Sequence, residues 1–370
     1  MKIHLISNMY PSGEAPNYGV FVKNTARILR SAGFSVDKTV LYKENNRVLK
    51  FIKYLFYYIK IVLKSLMKNY DIFYVHYASH NALPLLILKK MKKNIVIYTN
   101  VHGSDVVPEV PSQEKYQELV KKLLHASNLI ITPSHYYKEL VTEKYRVTTP
   151  ISVFPSGGIN KEIFYEREDR KTAFKELELD EGVNYIGYVS RLDVGKGWDI
   201  LLRSLKELHE EGFLKKNNIK AIFVGSGKDD ERFLELISEY KLENFIIHFP
   251  LLPQKKLNAI YNVCEVFCFP TKGESLGLVG LEAMACGTPV IGSRLGGLLD
   301  YMVDGVNGFL FEPGSSTELA DKIKQFHALP KEQKEKMSEA AKLTAQRYEI
   351  ENISGKLIDI FDRGNVRAEN

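Results

Sequence analysis

Short apolar runs alternate along the chain with amphipathic stretches of helical period. In the first half the runs are KIHLIS (2–7), DIFYVHY (71–77), NIVIYT (94–99), NLIITPS (128–134) and ISVFPSG (151–157). In the second half they are YIGYVS (185–190), KAIFVGSG (220–227), FIIHF (245–249), VFCFP (266–270) and PVIGS (289–293). Each is bounded by turn residues, with a helical pattern between it and the next. That order predicts an α/β fold with two parallel sheets. The two series are separated by 157–182, a charged stretch that opens on two glycines and reads as an interdomain linker. The domains expected are 1–165 and 166–346. RYEIENISGKLIDIF (347–361) reads as a last amphipathic helix. There is no tandem repeat and no low-complexity segment.

Composition changes this picture little. A chain of 370 residues exceeds one ordinary core, and two domains are expected. Hydrophobic residues at 45% and charged residues at 26% are globular values, which argues against disorder. Met1 leads straight into the first apolar run, so a secretory leader is not expected. Cys264, Cys268 and Cys286 sit in apolar contexts without metal-ligand spacing and read as buried thiols of a reducing cytosol.

Charge changes it more. Residues 1–165 hold 23 Lys/Arg against 11 Asp/Glu, a net of +12, while the remainder is net −6. A basic half beside an acidic half suggests that the first half meets an anionic partner. RVLKFIKYLFYYIKIVLKSLMKNY (47–70) concentrates that charge. At 100° per residue, Lys50, Lys53, Lys60, Lys64 and Lys68 fall within an arc of about 80°. Tyr54, Tyr57 and Tyr58 flank the arc, and Leu, Ile, Val and Phe fill the rest. Lysines interrupt every apolar run, so the stretch does not span a bilayer. It fits a basic helix lying on an anionic cytoplasmic membrane face. It also fits an ordinary domain helix with its apolar face on the sheet and its lysines in water. No recognition motif accompanies the charge, so nucleic acid is not an expected partner.

Candidate chemistry sits in the turns that leave strands, where α/β sheets place ligands. In VSRLDVGKGWDILLRSL (189–205), Arg191 and Lys196 occupy a glycine-containing loop just before a helix. Two cations beside a helix N-terminus suit a phosphate; a solvated basic loop is the alternative. In FVGSGKDDERFLELI (223–237), Gly225 and Gly227 open a helix, for a ligand or for a tight turn. In TNVHGSDVVP (99–108), His102 closes a strand and could meet a substrate hydroxyl, or form a turn stabilised by Asp105. Gly19, after the first strand, opens a helix whose N–H groups could face a phosphate. ESLGLVGLEAMACGTPVI (274–291) carries Glu274 before, and Glu282 inside, a helix expected to begin near Leu276 and end at Gly287. A carboxylate among Leu281, Ala283, Met284 and Ala285 needs donors. Two neighbouring sugar hydroxyls fit its two oxygens; a structural hydrogen bond is the alternative.

Taken together, NYGVFVKN (17–24), HGSD (102–105), RLDVGKG (191–197), VGSG (224–227), ESLGLVGLEAMACGTPV and the pair Gly296–Gly297 resemble the retaining GT-B glycosyltransferases of family 4, over nearly the whole chain. The resemblance implies two Rossmann-like domains facing a cleft, with a nucleotide-sugar donor held mainly by the second. It implies that Arg191 and Lys196 hold the donor diphosphate, that Glu282 binds the ribose and that Glu274 contacts the donor sugar. It places Ser275, Leu276, Gly277, Leu278 and Val279 along phosphate and sugar, His102 near the sugar, and Gly19 against the diphosphate. It also implies that the last helix (347–370) crosses back onto the first domain. One departure stands out: relatives often carry two adjacent glycines where this chain has Tyr18–Gly19.

The mechanism expected is retaining, by front-face substitution and without a metal, since no Asp-x-Asp motif is present. A UDP-sugar is favoured over a GDP-sugar. The acceptor expected is a lipid-linked or polysaccharide-precursor hydroxyl of bacterial surface glycan synthesis. The location expected is the cytoplasm, extending to a peripheral contact on the inner membrane face through 47–70. A sugar-nucleotide 2-epimerase of the same fold and a non-catalytic nucleotide-sugar-binding subunit are the alternatives.

Overall fold

The computed structural model describes residues 1–15 and 18–368, with side chains as far as Asp362. Asn17, the first residue of the NYGVFVKN match, lies outside the described residues. The chain divides into two compact units, Met1–Gly158 with Ile353–Asn370, and Ile159–Asn352. The boundary expected at 165 therefore lies at 158. The stretch 157–182 is not a linker either. Its helix Arg170–Leu177 belongs to the second unit and buries Ala173 and Leu177 in that unit's core.

The first unit is a six-stranded sheet: β1 (Lys2–Ser7), β2 (Ser35–Val40), β3 (Ile72–His76), β4 (Ile97–Asn100), β5 (Leu129–Thr132) and β6 (Ile151–Val153). Every pairing is parallel, in the order β2-β1-β3-β4-β5-β6. The second sheet holds β7 (Asn184–Val189), β8 (Ile219–Val224), β9 (Ile246–Phe249), β10 (Cys264–Phe269), β11 (Val290–Ser293) and β12 (Gly308–Phe311). It too is wholly parallel, in the order β12-β11-β10-β7-β8-β9. The strand order reverses between β1 and β3 in one sheet and between β7 and β10 in the other. Ligands of open α/β sheets sit outside the carboxyl ends of the strands at such reversals.

Seven helices carry or support the groups of interest: α1 (Val20–Ser31), α2 (Arg47–Met67), α3 (Ala78–Met91), α4 (Arg170–Leu177), α5 (Trp198–Glu210), α6 (Leu278–Ala285) and α7 (Ile350–Ala368). α7 runs from the second unit into the first. Ile353, Leu357 and Phe361, at four-residue spacing, are fully buried there. The Phe361 ring packs edge-on to Tyr74 at 5.0 Å and lies 5.3 Å from Tyr98. Two strands escaped the sequence reading. β2 is an edge strand of mostly half-buried residues, SVDKTV, without a continuous apolar run. β12 is only four residues long, GFLF.

Truncating Phe361 to Ala removes the ring that ties α7 to the first sheet. The expected loss of stability is about 3–5 kcal/mol. Urea unfolding that shows no loss would refute the packing described.

A candidate donor site at the reversal of the second sheet

The loops that leave β7, β8 and β10 are locked together by backbone contacts. Lys272 donates its N–H to the Gly195 carbonyl at 2.8 Å. Gly197, at φ +81°, opens α5 pressed against Pro270, and a Cβ there would overlap the Pro270 carbonyl oxygen. On the other side, Cβ atoms at Gly225 and Gly227 would overlap the carbonyl oxygens of Ser190 and Leu192. Their N–H groups are already used, Gly225 to the Phe249 carbonyl at 2.9 Å and Gly227 to Asp230 at 2.6 Å. Of the two uses considered for this glycine pair, the geometry supports loop packing: the pair lets the β8 loop lie against the β7 loop.

Arg191 and Lys196 stand on the β7 loop so held. Arg191 is largely exposed and pairs with Asp193, whose other oxygen accepts the Lys228 N–H at 2.9 Å. Asp193 thus anchors the loop and aims the guanidinium. The Lys196 N–H closes the turn on the Asp193 carbonyl at 3.2 Å.

After β10, Glu274 precedes the helix: α6 begins at Leu278, two residues later than expected. One Glu274 oxygen accepts the N–H of Ser275 at 2.9 Å, and its carbonyl accepts that of Gly297 at 3.0 Å. The Gly296–Gly297 turn thereby packs on the loop. Leu276 is 1% exposed and part of the core, so only its backbone is open to a ligand. Leu278 and Val279 are half-buried and also pack on the core. Gly277 begins α6 without any side-chain cap, leaving the first helical N–H groups without intrahelical acceptors. Beneath this turn, the Tyr301 hydroxyl donates to the Gly277 carbonyl at 3.2 Å.

Glu282 lies one turn further along α6 and is half-buried. The Tyr261 hydroxyl donates to one of its oxygens at 3.2 Å. Burial pushes the Glu282 carboxyl up to about 8, and the Tyr261 bond only partly opposes it. The chain has thus placed an acid where its charge is costly and supplied little to offset that cost. A cavity of about 750 Å³ in this unit lies elsewhere. It opens at the amino end of the sheet, by Cys264 and Pro289, and is lined by the ion-paired Glu166 and Lys342.

In the first unit His102 follows β4. Asp105 holds its turn through one oxygen, accepting the N–H groups of His102 at 3.0 Å and Gly103 at 2.9 Å. The imidazole does not touch that carboxylate in this arrangement. It stacks on His76 with ring centroids 5.2 Å apart and packs against Phe21 at 4.4 Å. His102 Nε2 and His76 Nδ1 share a hydrogen bond of 3.0 Å, while His76 Nε2 is buried without a partner in the described residues. Burial lowers His102 to about 3 and His76 well below the usual range, so both rings are neutral at physiological pH. Gly19 opens α1 in the left-handed region, again without a side-chain cap. Sequence reading missed His76, although a His ending the strand IFYVH carried the same signal as His102. It also missed Tyr261 and Tyr301, which only the fold brings to α6.

Two wholly parallel sheets, each with ligand-type loops at its reversal, are the architecture of the GT-B fold. The second unit matches the family model for glycosyl transferases group 1 over residues 169–344, and the first matches that for glycosyltransferase family 4 over 4–157. The chain belongs to this family. It is 28% identical over 341 residues to an uncharacterized glycosyltransferase of Methanocaldococcus jannaschii, covering 87% of each chain. It is 26% identical over 261 residues to the N-acetyl-alpha-D-glucosaminyl L-malate synthase of Bacillus anthracis, covering 70% of this chain and 65% of that one. It is 27% identical to the D-inositol 3-phosphate glycosyltransferase of Corynebacterium aurimucosum, spanning 63% of that relative's length. Among solved structures, sucrose-phosphate synthase from Thermosynechococcus elongatus matches at a TM-score of 0.83 with 20% identity, covering 100% of both chains. Anabaena HepE in complex with UDP-glucose matches at 0.76 with 19% identity, covering 98% of this chain and 100% of that one.

The raised Glu282 value has a sign that can be tested. Its neutral form is favoured in the folded chain, so its contribution to stability is full below about 4.5, the ordinary value, and is lost as pH rises toward 8. Glu282→Gln should therefore leave the ligand-free melting temperature near wild type at pH 5 and raise it by a few degrees at pH 8. An equal effect at both pH values would refute the buried, under-bonded state of this carboxyl.

Proposed function

We propose that this chain transfers a sugar from a nucleoside-diphosphate sugar to an acceptor hydroxyl, with retention at the anomeric carbon. One observation carries the reading. At the β7/β10 reversal, cations, an uncapped helix N-terminus and an under-bonded carboxylate sit on loops locked to one another. An anion beside Arg191, Lys196 and α6 gains from both charge and dipole. A vicinal diol donating to Glu282 supplies the hydrogen bonds that its carboxylate lacks. Diphosphate followed by ribose has that order of groups. Glu274, ahead of the helix, is left for the sugar. Within the first unit, the α1 N-terminus at Gly19 suits an anion and the neutral His102 ring suits a hydroxyl. UDP is the nucleotide favoured, in keeping with the fold neighbour solved in complex with UDP-glucose.

In the reaction the bond from C1 to the diphosphate oxygen breaks as the acceptor oxygen closes on C1 from the same face. The acceptor proton passes to an oxygen of the leaving phosphate. Arg191 and Lys196 stabilise the charge that builds there. The proposal needs no metal.

The acceptor proposed is a lipid-linked or glycan-precursor hydroxyl met at an anionic cytoplasmic membrane face. No described helix is long and apolar enough to cross a membrane. The support for surface contact is α2, and the structure changes how that helix reads. Lys64 and Lys68 pair with Asp37, and Lys53 with Glu44, so the lysine arc is not a free basic face. Nor does α2 turn its apolar side to the sheet. It packs inward through Tyr57, Ile61 and Ser65. Outward, Val48, Leu49, Ile52, Leu55, Phe56, Ile59, Leu63, Leu66 and Met67 fill an arc of about 120°. Phe56 is 66% and Met67 83% exposed. Leu83, Ile87 and Met91 continue the exposed apolar surface on α3, against which α2 packs. An apolar stripe bordered by lysines suits the interfacial layer of a bilayer.

Arg191→Ala or Lys196→Ala should lower turnover about 10²–10³-fold, with activity unchanged by EDTA. Near-normal turnover in either variant, or an inverted product by NMR, would refute the mechanism. The double variant F56S/L63S, all lysines intact, should lose flotation with anionic vesicles even at about 1 M salt, where surface charge is screened. Unchanged flotation, or none in the wild type, would refute membrane contact.

A further inference from the structure

A second cavity, of about 210 Å³, lies in the first unit at the root of α2. It sits at the carboxyl ends of β1 and β2, bounded by Asn8 after the one and by Lys43 after the other. Tyr18, Tyr54, Lys50 and Lys53 are among the other polar residues that line it. Asn8 is fixed within it, its side-chain amide donating to the Tyr54 hydroxyl at 3.2 Å. The space is smaller than the roughly 300–1,000 Å³ of sites that enclose a drug-sized ligand, and suits a headgroup.

Its charge is lopsided. Three lysines line it against one acid, Glu44, and that acid is bonded by Lys53 at 2.6 Å. Lys43 and Lys50 are exposed and have no acidic partner among the described residues.

The helix itself gives an independent sign. α2 has no acid in its first turn; it begins with Arg47 and places Lys50 and Lys53 in its first two turns. The amino end of a helix carries the positive end of its dipole, so cations there oppose folding. Asn46 caps the helix without bringing a charge, accepting the N–H groups of Val48 and Leu49; the one acid at this end, Glu44, accepts the Asn46 N–H at 2.9 Å and is already paired with Lys53. A run of cations at the positive end of a helix, beside a lysine-rich cavity, is the electrostatic profile of a site completed by an anion.

We infer that this cavity binds a phosphate group, and that the group belongs to the acceptor. The inference rests on the membrane-side acceptor proposed above and gives that acceptor its chemistry. A phosphate of charge near −2 balances Lys43 and Lys50 and faces the helix dipole. The Tyr54 hydroxyl accepts from Asn8 and so keeps its own proton for a phosphate oxygen, while the Tyr18 hydroxyl beside it donates to the Asn8 carbonyl at 3.5 Å. Lys side chains bind phosphate as point charges and do not require a bidentate fork. The position fits as well. The cavity opens at the start of the helix whose outer face is apolar, so a lipid phosphate held there could keep its chain beside that stripe. Tyr18 has a place here as well: it lines this cavity beside Tyr54.

Binding to the full chain can be measured calorimetrically with excess UDP present to occupy the second unit. The probes are geranyl phosphate, geraniol and inorganic phosphate. Geranyl phosphate should bind, and K43A/K50A should weaken it at least about tenfold, the loss expected for charge-assisted bonds. The same variant should bind UDP as the wild type does. Without probe its melting temperature should be unchanged or higher, since cations leave the wrong end of a helix. K60A, on α2 but outside the cavity, should bind geranyl phosphate normally. Geraniol binding as tightly as geranyl phosphate, or K43A/K50A binding as the wild type does, overturns the inference. Inorganic phosphate matching geranyl phosphate would assign the site to a free anion and overturn the assignment to the acceptor. Wild type that binds geranyl phosphate through these lysines without floating on vesicles upholds the site and refutes the membrane reading. Flotation with lysine-independent geranyl phosphate binding does the reverse.

Discussion

The site in the second unit depends on how closely three loops approach one another. At each contact the approach is backbone to backbone: Gly197 on Pro270, Gly225 on Ser190, Gly227 on Leu192. A side chain at any of these positions would push one loop off its neighbour. The loops then have little freedom of their own, and the groups they carry are positioned before a ligand arrives. Preorganisation of this kind is where electrostatic stabilisation acquires its size, because nothing must reorient as charge moves. The Asp193 carboxylate extends the same logic, with one oxygen on the Lys228 N–H and the other on Arg191. The β8 loop thereby fixes the carboxylate that aims the guanidinium of the β7 loop.

Against that rigid frame, α6 is left incomplete. Its N-terminus has no capping side chain, and its buried acid has one bond from Tyr261. A helix serving only the core would cap its amino end with Ser, Thr, Asp or Asn and carry an apolar residue at position 282. Tyr301 and Phe269 instead fix the position of its first turn from below, with Tyr301 bonded to the Gly277 carbonyl. The N–H groups of Leu278 and Val279 have no acceptor within the helix. The ligand-free chain gives up some stability here, and a ligand presenting an anion and then a diol restores it. Stability and binding are coupled through the same carboxylate, which is why pH reports on it.

Much of the fold was legible because burial on both faces of a parallel sheet writes continuous apolar runs such as YIGYVS and VFCFP. β2 was not, because an edge strand keeps polar residues: Asp37 in its middle bonds Lys64, Lys68 and Tyr70. In the site, residues whose role is local could be read from their loop: Arg191 and Lys196 beside a helix start, Glu282 inside an apolar run. Gly225 and Gly227 were ambiguous, since a glycine needed for backbone packing and one needed for a ligand look alike in sequence. His76, Tyr261 and Tyr301 act on residues 20 or more positions away, and no local pattern encodes such a partnership.

The α2 helix shows the same limit from the opposite side. A wheel drawn from sequence shows where lysines and apolar residues fall, but not which arc faces the sheet. An isolated amphipathic pattern assigns the apolar arc to the core. Here a narrower arc of Tyr57, Ile61 and Ser65 does the packing, with Tyr57 bonded to the buried Asn81 and Tyr58 to the His80 carbonyl. Those bonds rotate the helix so that its widest apolar arc points outward. They tie α2 to α3, whose Leu83, Ile87 and Met91 are exposed as well. The lysines that seemed to define the helix turn out to serve two purposes. Those near its carboxyl end hold it to Asp37, in the sense the dipole favours. Those near its amino end oppose the dipole, and that opposition, more than their number, marks the root of the helix as a place for an anion.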